Sequence, residues 1–167
     1  NAKVKYVEKH YGEGDGKGKR ILNPVTEVTM DENSYMEMEM VQIQGVDSTQ
    51  RMTKADLAAG AKLIIRERLL THGDQHAESG FVVNLNGEDS SANVISRSVA
   101  KNNSTQVFNA EINGNAKCAG HSECDAIIMD HAKISAIPKI VANDIDAALI
   151  HEAAIGKIAG EQLIKLM

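Results

Sequence analysis

Three residues that could bind a transition metal lie within seven positions of one another. Cys118, His121 and Cys124 form the pattern C-x2-H-x2-C, and thiolate and imidazole groups are suitable ligands for zinc, iron or iron–sulfur chemistry. The sequence has no second cluster of this kind, so the spacing alone does not define a closed structural zinc site. A pair of ordinary buried thiols is the alternative interpretation.

A second candidate is the adjacent pair His151 and Glu152. It is not the zincin pattern, because His-Glu-x-x-His would require histidine at position 155, which is isoleucine. A histidine and a glutamate at a solvated strand edge are the alternative. The chain also lacks the Gly-x-Ser-x-Gly elbow of many serine hydrolases. We therefore assign no catalytic residue.

The glycine-rich residues 12–20 do not form a phosphate-binding loop. Counting back from Gly18 and Lys19, the position of the first required glycine is Glu13, and Arg20 replaces the serine or threonine. The segment is typical of a loop between strands. We therefore predict no nucleotide-binding residue and no tightly bound cofactor in the isolated domain.

The sequence that must position these groups shows a regular spacing. Blocks of thirteen residues begin at position 61, and one block, residues 113–129, is four residues longer. One strand and one turn fit this length, whereas helical repeats need more than about thirty residues. The spacing favours a β-solenoid, and a β-sandwich of hairpins is the alternative because Asn86-Gly87 and Asn113-Gly114 are typical hairpin turns. The eighth block position predicts inward-facing side chains at Val94, Val107, Ile137 and Ile150.

The alignment of blocks also predicts which residues are neighbours. It places Cys124 in one column with Ile150, and Asp125 in one column with His151. Cys118 and His121 then belong to the extra residues of the long block. We therefore expect Cys124 to lie within reach of His151 and Glu152.

We predict one domain, residues 1–167, with three parts. Residues 3–60 are irregular N-terminal strands, in which Met36, Met38 and Met40 share one face and a β-bulge follows Met40. Residues 61–158 are the regular repeats. Residues 160–167 have apolar side chains at helical spacing and predict the start of a short C-terminal helix.

The overall composition excludes several functional classes. The 167 residues carry a net charge of −5, whereas nucleic acids and anionic membranes require a basic surface. No apolar stretch approaches the roughly 18–20 residues of a membrane span, and we identify no signal peptide. Two cysteines without a disulfide framework favour a reducing, cytoplasmic environment.

Two segments in a defined order resemble the SufB/SufD family of iron–sulfur cluster assembly proteins. The first is Glu-Cys-Asp-Ala-Ile-Ile at residues 123–128, and the second is His-Glu-Ala-Ala-Ile-Gly-Lys-Ile at residues 151–158. Gly-Glu-Gln-Leu at residues 160–163 follows, similar to the start of the family's C-terminal helix. Residues 57–63 and 91–109 are more loosely similar.

The resemblance implies a fold, a function and partners. It implies an all-β, right-handed parallel β-helix that serves as a scaffold of the SUF system and not as an enzyme. The partners would be the ABC-type ATPase SufC and a second SufB/SufD-like core, in a homodimer or heterodimer. The family's longer N-terminal region has no counterpart here, and its C-terminal helices would extend past Met167, so we expect incomplete SufC binding by this domain alone.

The resemblance also implies a ligand set. The positions that the family associates with nascent clusters are Cys124, His151 and Glu152, and Cys118 and His121 rank as supporting ligands only. The cargo would be a transient iron–sulfur cluster or iron. Two alternatives stay open: a carbohydrate-binding or carbohydrate-active β-helix, which would require more than 3% aromatic residues, and a purely structural oligomerisation domain.

Overall fold

The computed structural model describes residues 2–13 and 16–157, and every regular element in these ranges is a β-strand. The predicted helix at residues 160–167 lies outside them. Within the described residues, no helix is long and apolar enough to cross a membrane. The strands are β1 (Lys3–Tyr11), β2 (Ile21–Leu22), β3 (Val25–Met30), β4 (Tyr35–Gln44), β5 (Ser48–Leu57), β6 (Lys62–Thr71), β7 (His76–Leu85), β8 (Ser91–Ala100), β9 (Thr105–Gly114), β10 (Ala119–Ile128), β11 (Lys133–Ala142) and β12 (Ala148–Lys157).

The strands form two parallel sheets that face each other. Sheet A has the order β1-β4-β6-β8-β10-β12, and sheet B has the order β11-β9-β7-β5-β2, with β3 also paired to β5. From β4 onward the chain alternates between the two sheets, so each coil contributes one strand to each. Every strand pair is parallel. The predicted parallel β-solenoid is therefore confirmed, and the antiparallel β-sandwich is wrong.

The predicted thirteen-residue repeat is wrong. From β4 onward, strand partners on neighbouring coils are 27 to 29 residues apart: Tyr35 pairs with Lys62, Ser91 with Ala119, and Ala119 with Ala148. Each of these coils contains two ten-residue strands and two corners of three to five residues. The regular coils also begin before residue 61, since β4 and β5 already follow the same pattern.

The long block predicted at residues 113–129 does not exist. β10 pairs with β8 on one side and β12 on the other, without a shift of register. His121 is thus an ordinary member of β10, and Cys118 lies in the corner before it. The apparent insertion arose because a thirteen-residue period is one or two residues shorter than the distance between the starts of successive strands from β6 onward.

The period error also changes which side chains face the core. Val94 is 1% exposed and faces inward as predicted, but Ile137 and Ile150 are each 56% exposed. Val107 lies between the buried Gln106 and Phe108 and faces outward. Strand side chains alternate between faces, so a displacement of one residue reverses every assignment on a strand.

Small aliphatic side chains and methionines fill the space between the sheets. Met38 and Met40 are fully buried, as the methionine alternation predicts, and the rings of Phe81 and Phe108 pack at a centroid distance of 5.7 Å. The predicted slip after Met40 is absent, because Gln42 continues the buried face. The irregularity lies further along, where the β1 register against β4 shifts between His10 and Tyr11.

Most corners contain one residue in the left-handed backbone conformation. These residues are glycine, asparagine or aspartate, the types that adopt positive φ most readily. They are Asn33, Gly45, Gly60, Gly73, Asp89, Asn102 and Asp130. The corners therefore turn the chain from one sheet to the other at residue types that the sequence marks as turns.

Candidate functional site

Cys124 lies on the inner face of sheet A. Its strand neighbours are Ser96 on β8 and Ala153 on β12, and its side chain is 1% exposed. Burial, together with the smaller effects of the Glu67 and Asp125 carboxylates, raises the pKa of the Cys124 thiol to about 11. The thiol is therefore protonated at neutral pH, and it becomes a metal ligand only when an ion displaces the proton.

A buried ion pair lies deeper in the solenoid on the same side. Glu67 and Arg51 are each 2% exposed, and Arg51 Nη1 donates to Glu67 Oε1 at 3.0 Å. Ser96 Oγ donates to Glu67 Oε2 at 2.7 Å, and Ser79 Oγ donates to Oε1 at 2.5 Å. Since Ser96 is the neighbour of Cys124, this polar cluster reaches from the thiol into the interior.

The polar cluster continues to the first strand. Arg51 Nη2 donates to His10 Nδ1 at 2.8 Å, and His10 Nε2 lies 2.5 Å from Glu8 Oε1. Burial and the Arg51 charge lower the pKa of His10, against a smaller opposing effect of Glu8. Gln42 Oε1 and Arg51 Nε are buried without a hydrogen-bond partner. These buried polar side chains thus connect β1 to β8 through Arg51 on the opposite sheet, and the cluster ends beside Cys124 on β10.

Sequence reasoning missed this cluster, although one signal was present. In β6 the inward positions read Leu63, Ile65, Glu67, Leu69 and Thr71. A glutamate in the phase of buried aliphatic residues predicts a buried charge, and such a charge requires a partner. Arg51 is that partner, but it lies on the opposite sheet, which the sequence pattern does not reveal.

The structure brings His151 and Cys124 to the same face of sheet A. His151 lies on β12, where its Nδ1 is 2.7 Å from Ser122 Oγ, and the strand partner of Cys124 is Ala153, two positions further along. His151 and Cys124 are therefore diagonal neighbours. β12 is the last strand of sheet A in the described chain, and His151 is half-buried there.

Glu152 points to the opposite face. Its strand partner is Glu123, and its Oε2 lies 3.4 Å from His121 Nε2 on the outside of sheet A. Single ligand atoms of His121, Glu123 and Glu152 all lie within 4.8 Å of one another. Within one chain, the predicted shell of Cys124, His151 and Glu152 is thus divided between the two faces of the sheet.

The C-x2-H-x2-C pattern does not converge on one point. Cys118 is buried in the corner before β10, next to Gly114, where an added methyl group would lie 3.1 Å from its sulfur. His121 faces outward and Cys124 faces inward. Neither cysteine forms a disulfide, and burial also raises the pKa of the Cys118 thiol.

Fold and site together define a parallel β-solenoid that carries a thiol and an imidazole on its inner face near the last described strand. Residues 49–167 match the family model described as SUF system FeS cluster assembly, SufBD core domain. The chain belongs to this SufBD family.

Named relatives agree with the family match. The chain is 32% identical over 169 residues to an iron-sulfur cluster assembly SufBD family protein of Methanocaldococcus jannaschii, covering 100% of this chain and 53% of the relative. A SufBD family protein of Archaeoglobus fulgidus is 30% identical over 148 residues, covering 87% of this chain and 40% of the relative. A third, from Pyrococcus horikoshii, is 37% identical over 101 residues, or 59% of this chain and 23% of the relative. The chain thus spans about half or less of the length of these proteins.

Proposed function

We propose that the chain is the core domain of a scaffold on which iron–sulfur clusters are assembled. Its partners in this proposal are a SufC-like ABC-type ATPase and a second SufB/SufD-like chain. Membership of the SufBD family supports the assembly role. ATP hydrolysis belongs to the ATPase, so the core domain acts as a scaffold and not as an enzyme. The cluster and its iron are cargo, held for a short time and passed on.

The observation that carries the proposal is the position of Cys124 beside β12, the last described strand of sheet A. Its neighbour Ala153 is exposed among the described residues, and so is the inner-face residue Ile155, at 41%. The thiol is therefore about 4.8 Å, one strand separation, from β12, where only the methyl side chain of Ala153 lies beside it. His151 provides a borderline ligand on the same face, suited to iron.

The raised thiol pKa fits a temporary ligand. A cysteine that is protonated at neutral pH does not react as a free nucleophile, and it binds iron only when the ion displaces its proton. The same proton competes with the metal when the cargo leaves. Burial, the first cause of the raised pKa, therefore favours a weak and reversible Cys124–iron bond.

A second chain completes the ligand shell in this proposal. Cys124 and His151 supply two protein ligands, whereas a [2Fe–2S] or [4Fe–4S] cluster is commonly held by four protein side chains. Glu152 lies on the other face of β12 and does not reach the thiol within one chain. We therefore propose that the missing ligands come from a partner core that docks at β12.

The experiment is reconstitution of a cluster on the full-length protein in complex with its ATPase and partner chain. Cys124→Ala should abolish the visible absorption and the acid-labile sulfide of the reconstituted complex, and His151→Ala, which removes the second inner-face ligand, should weaken both. Cys118→Ala is the matched control, because it removes a buried thiol from a corner and should leave assembly intact. Circular dichroism checks that each variant folds. Assembly at the wild-type level by Cys124→Ala would refute the site.

A further inference from the structure

We propose that the outer face of sheet A binds one divalent first-row transition-metal cation through His121, Glu123 and Glu152. The site is separate from the inner-face thiol, because the sheet itself lies between them. It deepens the proposed function and rests on that function only in taking iron(II) as the physiological ion. Cation binding by itself is independent of cluster assembly.

The strand register places the three ligands together. His121 and Glu123 are two positions apart on β10, so both face outward, and Glu123 pairs directly with Glu152 on β12. His121 Nε2 lies 3.4 Å from Glu152 Oε2, and one ligand atom from each residue lies within 4.8 Å of the other two. Among the described residues, no other three histidine, cysteine or carboxylate side chains bring one ligand atom each within this distance.

A hydrogen bond orients the histidine for this role. Asn93 is the strand neighbour of His121 on β8, and its Oδ1 lies 3.1 Å from His121 Nδ1. Because an amide oxygen only accepts, Nδ1–H donates to it, and in the proposed complex the lone pair of Nε2 binds the cation. Metal-binding histidines usually donate their second nitrogen in this way. Asn93 is thus a positioning residue.

The charges favour a divalent ion. Two carboxylates and a neutral imidazole carry a charge of about −2, which a divalent cation neutralises. Arg97 Nη2 lies 3.3 Å from Glu123 Oε1, which leaves the second oxygen of that carboxylate for the ion. One nitrogen and two oxygen ligands suit iron(II), manganese(II), cobalt(II) or zinc(II). The Glu152 side chain is 66% exposed, so water can complete the coordination and the ion can exchange.

The test is titration of the folded chain with cobalt(II), followed by visible absorption and equilibrium dialysis. We expect one equivalent to bind without a thiolate-to-cobalt charge-transfer band. His121→Ala and Glu123→Gln should each weaken binding by about tenfold or more, and Asn93→Ala by about tenfold. Asn93→Asp should restore it, because a carboxylate also accepts the Nδ1 proton.

Matched controls separate this site from the thiol and from general surface charge. His76→Ala and Glu39→Gln remove exposed or outward groups elsewhere and should leave the affinity unchanged. Cys124→Ser should also leave it unchanged. If Cys124→Ser abolished cobalt binding while His121→Ala retained it, or if no saturable binding occurred, the outer site would be refuted. Cluster reconstitution by His121→Ala is a separate readout, so a failed outer site does not decide the proposed function.

Discussion

At the scale of single residues, the chemistry of the inner face depends on the buried charged groups beside Cys124. Cys124 lies beside a cluster in which Glu67 accepts hydrogen bonds from Arg51, Ser79 and Ser96. The guanidinium neutralises the carboxylate, and each of its two oxygens accepts a hydrogen bond from one serine hydroxyl. A buried ion pair of this kind is retained only when its geometry is good, because each ion loses its hydration.

The raised pKa of Cys124 gives a pH prediction. The thiolate is the reactive form, so alkylation of Cys124 in the folded chain should accelerate by about tenfold per pH unit from neutral pH and still be rising at about pH 9. In urea the rate should level off near the ordinary thiol pKa of 9.0. Mass spectrometry of the Cys124 peptide after timed iodoacetamide treatment measures both rates. A folded-state rate that levels off below pH 9 would contradict the prediction.

The buried pair gives a stability prediction. Glu67→Gln leaves the Arg51 charge without its closest partner, so we expect a loss of about 3–5 kcal/mol in the free energy of unfolding. Glu111→Gln is the control, because Glu111 forms a partly exposed pair with Lys139 and should cost no more than about 1 kcal/mol. Urea denaturation measures both values. Equal losses in the two variants would show that Glu67 is not held as a buried ion.

At the scale of strands and corners, stacking makes each coil support the next. In one corner column, Asn115 Nδ2 donates to Asn86 Oδ1 and Asn143 Nδ2 donates to Asn115 Oδ1, both at 2.7 Å. These side-chain hydrogen bonds connect successive coils at the corners, as the main-chain hydrogen bonds connect successive strands within the sheets. The same register places Glu123 beside Glu152 and Cys124 beside Ala153, so strand pairing decides which functional groups can meet.

Strand phase gives a prediction at this scale. Val94→Asp would place an unpaired charge in the core and should cost about 4 kcal/mol or more. Val107→Asp places the same charge on the outer face of β9 and should cost no more than about 1 kcal/mol. The two variants make the same chemical change on consecutive strands of opposite sheets. Thermal and urea unfolding measure the difference, and equal costs would contradict the assigned faces.

At the scale of the whole molecule, β11 and β12 are the last described strands of the two sheets. They carry exposed apolar side chains, since Ile137 and Ile150 are each 56% exposed and Ile140 is 40% exposed among the described residues. Unpaired strand edges with exposed apolar side chains favour association with another chain. Docking at these strands would bring a second core close to Cys124 and His151, as the proposed function requires.

We therefore predict a homodimer in the absence of the natural partner. Ile150→Lys, on β12, should shift the chain towards monomer in sedimentation velocity experiments, because a charged side chain opposes burial at the interface. Ile21→Lys is the matched control: Ile21 is 61% exposed on β2, at the other end of sheet B. A wild-type monomer at tens of micromolar would refute the dimer, and dissociation by Ile21→Lys alone would place the interface at the opposite end.

The sequence by itself determined the class of fold and the family. A regular spacing of blocks that each fit one strand and one turn predicted a β-solenoid. The segments around Cys124 and His151 carried the resemblance to the SufB/SufD family, which the family match confirms. Both conclusions depend on local patterns, which survive an error in the exact repeat length.

Only the tertiary structure decided the coil length and the face of each side chain. Two strands and two corners of variable length make one coil of 27 to 29 residues. A thirteen-residue spacing of one strand and one turn therefore placed Val107, Ile137 and Ile150 on the wrong face. The sequence pattern also did not predict the pairing of Arg51 with Glu67 or the separation of Glu152 from Cys124, because both depend on the coil length. Alternation in a strand shows which residues share a face, but the direction of that face depends on contacts between coils, which are distant in sequence.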